Sequence, residues 1–439
     1  MRMFRVARYW LLGLAILVAA TSLALLPACE DEEEEEATPT PTAAAETPSP
    51  AASPAAGGPL KIGSLNTFTG SLGEFGESIS KGAELAVAQC NEVGGVLGAD
   101  VEFSVADTQT TPTVGVDAAR RLVDIGGVQV IIGALASGVT TAVAESVTIP
   151  GKILLISPAS TAATIAELDD DDMVFRTTVS DDAQGAVLAQ LAYEDLGYTK
   201  VGVMADNNPY GVGLAETFKS NFEALGGEAT IVKYEENQPT YLAEVQQATE
   251  GDPDALACIG YPVEAQVYIR EALENELADT FLFVDGTRSV DLPTNIGPEY
   301  LEGMYGTDAG TVRVEQLVND YEAQFGETFP VTPFTAQAYD AAALLCLAAN
   351  KAGSTDPEAI RDALREVSSP PGQTVTAGVD GLTEALELIA AGTDVDYEGY
   401  ASSTDFDENG DVAQGAISIW QYINGVPTGV RDIPVDFSE

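Results

Sequence analysis

The chain contains no histidine. That absence removes Ser-His-Asp and Cys-His catalysis and every metal site built on imidazole. Carboxylate and lysine chemistry survive it, so the argument against an enzyme is strong without being complete. Basic residues are also scarce: 19 Lys and Arg stand against 69 Asp and Glu, a formal net charge of −50. Nucleic-acid binding needs Lys and Arg to displace phosphate counterions, so nucleic acid is not an expected partner. A polybasic membrane contact is excluded on the same ground. The charge describes a heavily solvated surface, of the kind suited to salty surroundings, and says nothing of the fold. Long apolar runs are missing after the N-terminus, so no second membrane segment is expected.

What is present is size and apolar content. At about 150 residues per domain, 439 residues predict two or three domains, and 45% apolar residues supply ample core. The N-terminus reads as an export signal. Arg2, Arg5 and Arg8 form a positive region, Tyr9 to Ala28 is uncharged, and Leu11 to Leu26 is strongly apolar. It ends in Leu26-Pro27-Ala28-Cys29, which resembles a bacterial lipobox in which the Cys becomes the lipidated first residue; Pro27 is unusual there. The alternative is an uncleaved membrane anchor. Residues 1–28 are therefore expected to be a lipoprotein signal peptide, with Cys29 the lipidation site and the rest of the chain outside the cytoplasm. Residues 29–59 carry the acidic run Glu30 to Glu36 and then Thr, Pro, Ala and Ser, the composition of a disordered tether.

From Lys61 onward, strands and helices alternate. Val101, Phe103 and Val105 alternate with Glu102, Ser104 and Ala106, as in a half-buried strand. Val128 to Ile132, Ile153 to Ile156, Val201 to Met204, Ala255 to Ile259 and Phe281 to Val284 are short apolar runs, as buried parallel strands show. Leu214, Phe218, Phe222 and Leu225 share a helical face that Gly226-Gly227 ends. The pattern predicts an α/β protein with two parallel sheets of ordinary size.

Ligands of open parallel sheets bind beyond the carboxyl ends of the strands. Gly133 to Gly138 follows one strand, with Ser137 placed as the cap of the next helix, a seat for a carboxylate or a plain structural cap. Ser157 to Ala162 follows another, a loop of small hydroxylated residues that is equally a turn. Later strand ends bring Asp206 to Gly211 with Tyr210, Gly260-Tyr261-Pro262, and Asp285-Gly286. Hydroxyls and N–H groups for a carboxylate, an Asp for an ammonium and rings for the remainder suit a zwitterion. Other motifs fail. Asp405 to Gly410 opens like a calcium loop, yet Ala416 stands where the bidentate Glu is needed, so a polar turn is expected. Gly211-Val212-Gly213 lacks the third Gly of a dinucleotide loop. No metal and no cofactor are expected. Beyond Cys29 there are Cys90, Cys258 and Cys346, which leave one disulfide or three buried thiols open.

These motifs together resemble the branched-chain amino acid (leucine/isoleucine/valine) binding proteins of ABC importers, with the type I periplasmic-binding fold. The resemblance runs from Lys61 almost to the C-terminus. It includes Gly82-Ala83-Glu84-Leu85-Ala86-Val87, Asn91 to Gly98, Ile156-Ser157-Pro158-Ala159, Phe175-Arg176-Thr177, Tyr210-Gly211, Ala338-Tyr339-Asp340-Ala341 and Phe406 to Asp411. It implies two doubly wound lobes joined by a three-segment hinge, lobe one spanning 60–179 and 307–403 and lobe two 180–306 and 404–439. It implies that Ser137, Ala159, Ser160 and Thr161 hold a ligand carboxylate, that Asp285 holds an ammonium, and that Phe75, Leu135, Tyr210 and Tyr261 line the side-chain pocket. The family commonly has Tyr where this chain has Phe75. Its prototype has a lobe-one disulfide at a position held here by Ala136, so that bridge is absent. The function implied is capture of an amino acid and delivery to an ABC permease. The alternatives are a sensing role beside a membrane signalling partner, or amide, urea or carboxylate ligands.

Overall fold

The structure, a computed structural model, describes residues 58–311 and 314–436. Cys29, the leader and the tether up to residue 57 lie outside the described residues. Strands form where apolar runs are uninterrupted, because a strand covered on both faces needs apolar residues at every position. Five of them come first: β1 (Lys61–Asn66), β2 (Glu102–Asp107), β3 (Val130–Gly133), β4 (Leu154–Ser157) and β5 (Val174–Arg176). They pair in parallel in the order β2-β1-β3-β4-β5. At the edge, β2 is more open than its alternation predicts: Val105 is 39% exposed because only one side of the strand has a neighbour.

The chain then builds a second sheet on the same plan. β6 (Lys200–Asp206), β7 (Glu228–Tyr234), β8 (Ala255–Ile259), β9 (Phe281–Phe283) and β10 (Tyr305–Ala309) run parallel in the order β7-β6-β8-β9-β10. The helix Pro209–Leu225 between β6 and β7 ends at Gly226, whose φ of 106° is the left-handed stop that the Gly-Gly pair predicts. Each sheet reverses its winding once, between β1 and β3 and between β6 and β8. A doubly wound sheet opens a crevice at that reversal, beyond the carboxyl ends of its strands.

β10 stays in the second sheet through Ala309, because Thr307, Asp308 and Ala309 still pair with Ile419, Ser418 and Ile417. The chain therefore leaves that sheet a few residues beyond the crossover expected at 306–307. Helices including Thr335–Ala352 then return to the first lobe, with β11 (Gln373–Thr376) and β12 (Val395–Glu398) pairing on their own. Last come β13 (Gln414–Ile423) and β14 (Val426–Asp436), an antiparallel hairpin laid against β10. The second sheet is thus mixed, where a wholly parallel one was expected. Trp420 and Tyr422 of β13 anchor the hairpin, their rings 5.9 and 5.2 Å from Phe283 of β9.

The helix Thr335–Ala352 is buried along almost its whole length, as an all-round apolar helix must be. It lies against the helix Gly73–Glu92 so closely that a Cβ on Gly82 would meet the Thr335 carbonyl at 2.2 Å. A disulfide joins Cys90 and Cys346 on these two helices, 256 residues apart, and Cys258 is a buried free thiol. A disulfide typically contributes about 2–4 kcal/mol to stability. The acidic Asp405 to Asp411 segment is a turn: Asp407 Oδ1 accepts from the Asn409 and Asp411 amides at 2.8 and 2.9 Å, and Phe406 bridges Val412. No described helix is long and apolar enough to cross a membrane.

Candidate functional site

The two crevices face each other across a small cavity. From the first lobe, Leu72, Phe75 and Ile79 reach it from the segment after β1, Leu135 and Ser137 from the loop after β3, and Ala159 from the loop after β4. From the second, Tyr210 follows β6, Tyr261 follows β8, and Asp285 and Gly286 follow β9. Phe334, one residue before the helix Thr335–Ala352, completes the lining.

The first-lobe side is a set of small, buried, uncharged groups. Ser137 is the first residue of its short helix rather than the cap, a place taken by Ala136. Its hydroxyl instead accepts from the Ala162 amide at 3.2 Å, tying the two loops together. Ser160 does not face the cavity. Its amide donates to Ser157 Oγ at 3.0 Å and its hydroxyl lies 3.1 and 3.0 Å from the Ala134 and Leu135 carbonyls, so its donors are spent within the protein. Thr161 is not among the lining residues either, and its buried hydroxyl has no hydrogen-bond partner. The fully buried Arg176 at the end of β5 holds this loop from behind. It donates to the Ser160 and Ala162 carbonyls at 3.2 and 2.9 Å and makes a two-pronged ion pair with Asp411.

The second-lobe side carries the charge. Asp285 is 3% exposed. Its Oδ1 accepts from the Tyr210 hydroxyl at 2.6 Å and from Gln184 Nε2 at 2.8 Å. Both donors are neutral. Burial pushes its carboxyl up to about 6, against the pull of Tyr210 and Gln184, with the buried Asp308 charge adding to the rise. The Gly286 amide donates to the Tyr210 hydroxyl at 3.2 Å. A Cβ on Gly286 would meet the Gly260 carbonyl at 2.4 Å and that hydroxyl at 2.9 Å, which is why the turn needs glycine. The Tyr210 and Tyr261 rings lie parallel at 5.6 Å and wall the cavity beside the carboxylate.

Besides the apolar Leu72 and Ile79, three residues of this arrangement escaped sequence reasoning. Asp181 opens the helix Asp181–Gln190, is 1% exposed, and leaves both carboxylate oxygens without a hydrogen bond. Burial and then the Asp285 charge push it well above the carboxylate range, against the pull of the Thr161 hydroxyl, which closes no bond of good geometry, and of the Arg176 charge. Gln184, one turn later, orients Asp285 and is itself held by the Thr307 carbonyl at 3.1 Å. Two acids in a helical first turn are ordinary dipole compensation, so Asp181 and Asp182 gave no signal. Phe334 is held at φ 72°, a left-handed conformation that a bulky residue adopts only where the surroundings impose it. A buried Asp285 with only neutral side-chain donors, a second buried acid near it and an apolar chamber next to it make a seat for a cationic head with an apolar body.

A sequence profile of the family described as Periplasmic binding protein matches residues 59–385. Over 359 residues the chain is 31% identical to the chemotactic signal transduction system substrate-binding protein BasB of Halobacterium salinarum, covering 80% of this chain and 84% of that one. It is 30% identical over 300 residues to Leu/Ile/Val-binding protein homolog 1 of Brucella suis, covering 68% of this chain and 80% of that one. In three dimensions it is similar to the leucine binding protein LivK of Thermotoga maritima, with a TM-score of 0.71 and 27% identity over 85% of this chain and 98% of that one.

Proposed function

Because this chain belongs to the periplasmic binding protein family, we propose that it is an exported, lipid-anchored receptor. In this reading it captures an amino acid between its lobes and hands it to an ABC permease, with no chemical step. The observation that carries the reading is the buried Asp285, whose side-chain donors Tyr210 and Gln184 are both neutral, in a cavity walled by apolar and aromatic side chains, with the buried Asp181 close enough to act on it. A ligand ammonium supplies the missing positive charge and draws the raised acids toward their charged forms. The ligand carboxylate goes to the Ser137, Ala159 and Thr161 side, where the cavity lining carries no acid. Leu135, Phe75, Tyr210 and Tyr261 take the apolar side chain, with Phe334, Leu72 and Ile79 added to them. The names of the Leu/Ile/Val-binding and leucine-binding relatives support a branched-chain ligand.

A sensing role is the second reading. It is favoured by one observation, the similarity to a chemotactic substrate-binding protein. The same receptor then presents its closed form to a membrane signalling partner, and co-purification of a permease or of such a partner separates the two. Lipidation at Cys29 is read by mass spectrometry of the native protein; an unmodified Cys29 removes the anchor. The ligand is tested by thermal shift with leucine, isoleucine, valine, simple amides and benzoate. A ligand bound only to the folded state adds about 2.7 kcal/mol at a hundredfold excess over its Kd. Stabilisation by the amino acids and not by benzoate is expected; the reverse result overturns the reading.

A further inference from the structure

The amino-acid reading leaves a second set of buried acids unused. Asp206 ends β6, Tyr234 ends β7 in register with it, and Glu264 sits in the first turn of the helix Pro262–Glu274 after β8. Three neighbouring strands thus bring acids and a phenol to one corner of the second crevice. All three residues are 1% exposed, and Asp206 Oδ2, the Tyr234 hydroxyl and Glu264 Oε2 have no hydrogen-bond partner. The Tyr234 hydroxyl and Asp206 are close: a Cβ on Gly260 would meet that hydroxyl at 1.9 Å and Asp206 Cβ at 3.3 Å.

This corner adjoins the ligand cavity. Glu264 Oε1 accepts from the Ser71 hydroxyl of the other lobe at 2.9 Å. Ser71 directly precedes Leu72, and Glu264 lies one turn past Tyr261, both of which line the cavity. The charged groups acting most strongly here are Glu235, Glu236 and the acids themselves, with no Lys or Arg among them. Burial, then these neighbours, push Asp206 up to about 8. The helix N-terminus beside Glu264 favours its charged form. Buried acceptors left open in such a field are completed by a positive group.

We propose that Asp206, Glu264 and the Tyr234 hydroxyl form a site for one monovalent positive charge. It is supplied either by the distal ammonium or guanidinium of a basic amino acid in the cleft or by a free alkali cation. Two acids and one phenol suit a single positive charge better than a multivalent metal, and among the described residues no group of three or more His, Cys, Asp or Glu is placed to hold a metal ion. The first source rests on the amino-acid reading above; the second does not.

The test uses the full chain at a pH above about 8, where Asp206 is charged. Leucine, lysine and arginine are titrated calorimetrically. Melting is followed in sodium, potassium and N-methylglucamine chlorides at equal ionic strength. Both measurements are made on the wild type, Asp206→Asn and Glu264→Gln, the second variant serving if the first does not fold. Lysine or arginine binding that Asp206→Asn weakens roughly thirtyfold, with leucine unchanged, supports the site with a ligand tail as its cation. A higher melting temperature in sodium or potassium than in N-methylglucamine, lost in the variant, supports it with a free ion. Identical behaviour of wild type and variants in every arm overturns it. Leucine binding with neither effect removes this site and leaves the first reading standing, whereas an ion effect without amino-acid binding does the reverse.

Discussion

In the first lobe, the segments after β1, β3 and β4 bring Leu72, Phe75, Ile79, Leu135, Ser137 and Ala159 to the cavity: apolar surface and one hydroxyl, without a charge. In the second lobe, the equivalent segments after β6, β8 and β9 bring Tyr210, Tyr261 and Asp285, and the helix after the first crossover sets the buried Asp181 near Asp285, outside the lining. The order of the five parallel strands is the same on both sides. Identical winding places a crevice, and the loops decide what it does. The lobes differ in reinforcement too. The first has a disulfide between its long helices, while the second keeps a free buried thiol and a concentration of buried acids. Shape and stability reside mainly in the first lobe, and electrostatic demand in the second.

Separate substitutions should pull these properties apart. The largest effect is expected from Asp285→Asn, which keeps the shape and removes the charge. Losing one member of a buried charge pair costs about 2–5 kcal/mol, so an amino-acid ligand should bind roughly thirtyfold or more weakly, with little change in melting. Calorimetric titration decides it, and unchanged affinity in a folded variant would make Asp285 structural. The first lobe should answer in the opposite sense. The double change Cys90→Ala and Cys346→Ala should lower stability by about 2–4 kcal/mol in a denaturant titration and leave affinity within twofold or so. A matching loss of affinity would break the division of labour drawn above.

Acid should act on the second lobe. Asp285 lies near 6 in the empty cleft because burial penalises its charge, and Tyr210, Gln184, Asp181 and Asp308 are the groups that face it. A bound ammonium favours the charged form and lowers that value. Binding therefore releases a proton below about pH 6, and affinity should fall by up to about tenfold per pH unit there. A flat profile between pH 5 and 8 would show that no carboxylate is titrating with the ligand.

The smallest effect concerns the seam between the lobes. Glu74 of the first lobe accepts from the Val290 amide at 2.9 Å and from the Ser289 hydroxyl of the second. Burial raises its carboxyl above the ordinary range. Glu74→Ala should open the empty protein and weaken ligand by about 1 kcal/mol, roughly fivefold. Scattering without ligand measures the opening, and an unchanged curve would mean that the seam does not hold the lobes.

Much of this was legible in the residues. Uninterrupted apolar runs marked the strands, Gly226-Gly227 marked a helix end, and reading past each strand led to Tyr210, Tyr261 and Asp285. The β13–β14 hairpin was not read, because its exposed partner strand carries no apolar run. Ser160 looked like a ligand contact until its loop turned the hydroxyl inward onto Ala134 and Leu135. The disulfide stayed open in the sequence because 256 residues separate its ends, and only packing of the helices Gly73–Glu92 and Thr335–Ala352 brings them together.

The sequence by itself determined what depends on local patterning: parallel strands from continuous apolar runs, helix ends from glycine, and strand-end chemistry from the residue that follows. Tertiary structure alone decided what depends on segments far apart meeting. It placed Asp181 beside Asp285, 104 residues further on, with Gln184 as the bond between helix and strand end. It put Phe334 into a cavity opened by β1 and β3, and set Asp411 against Arg176 behind the Ser160 loop. Periodicity records which face of an element is buried, whereas a pocket is built by crossovers that return distant chain to one place, and no local pattern carries that distance.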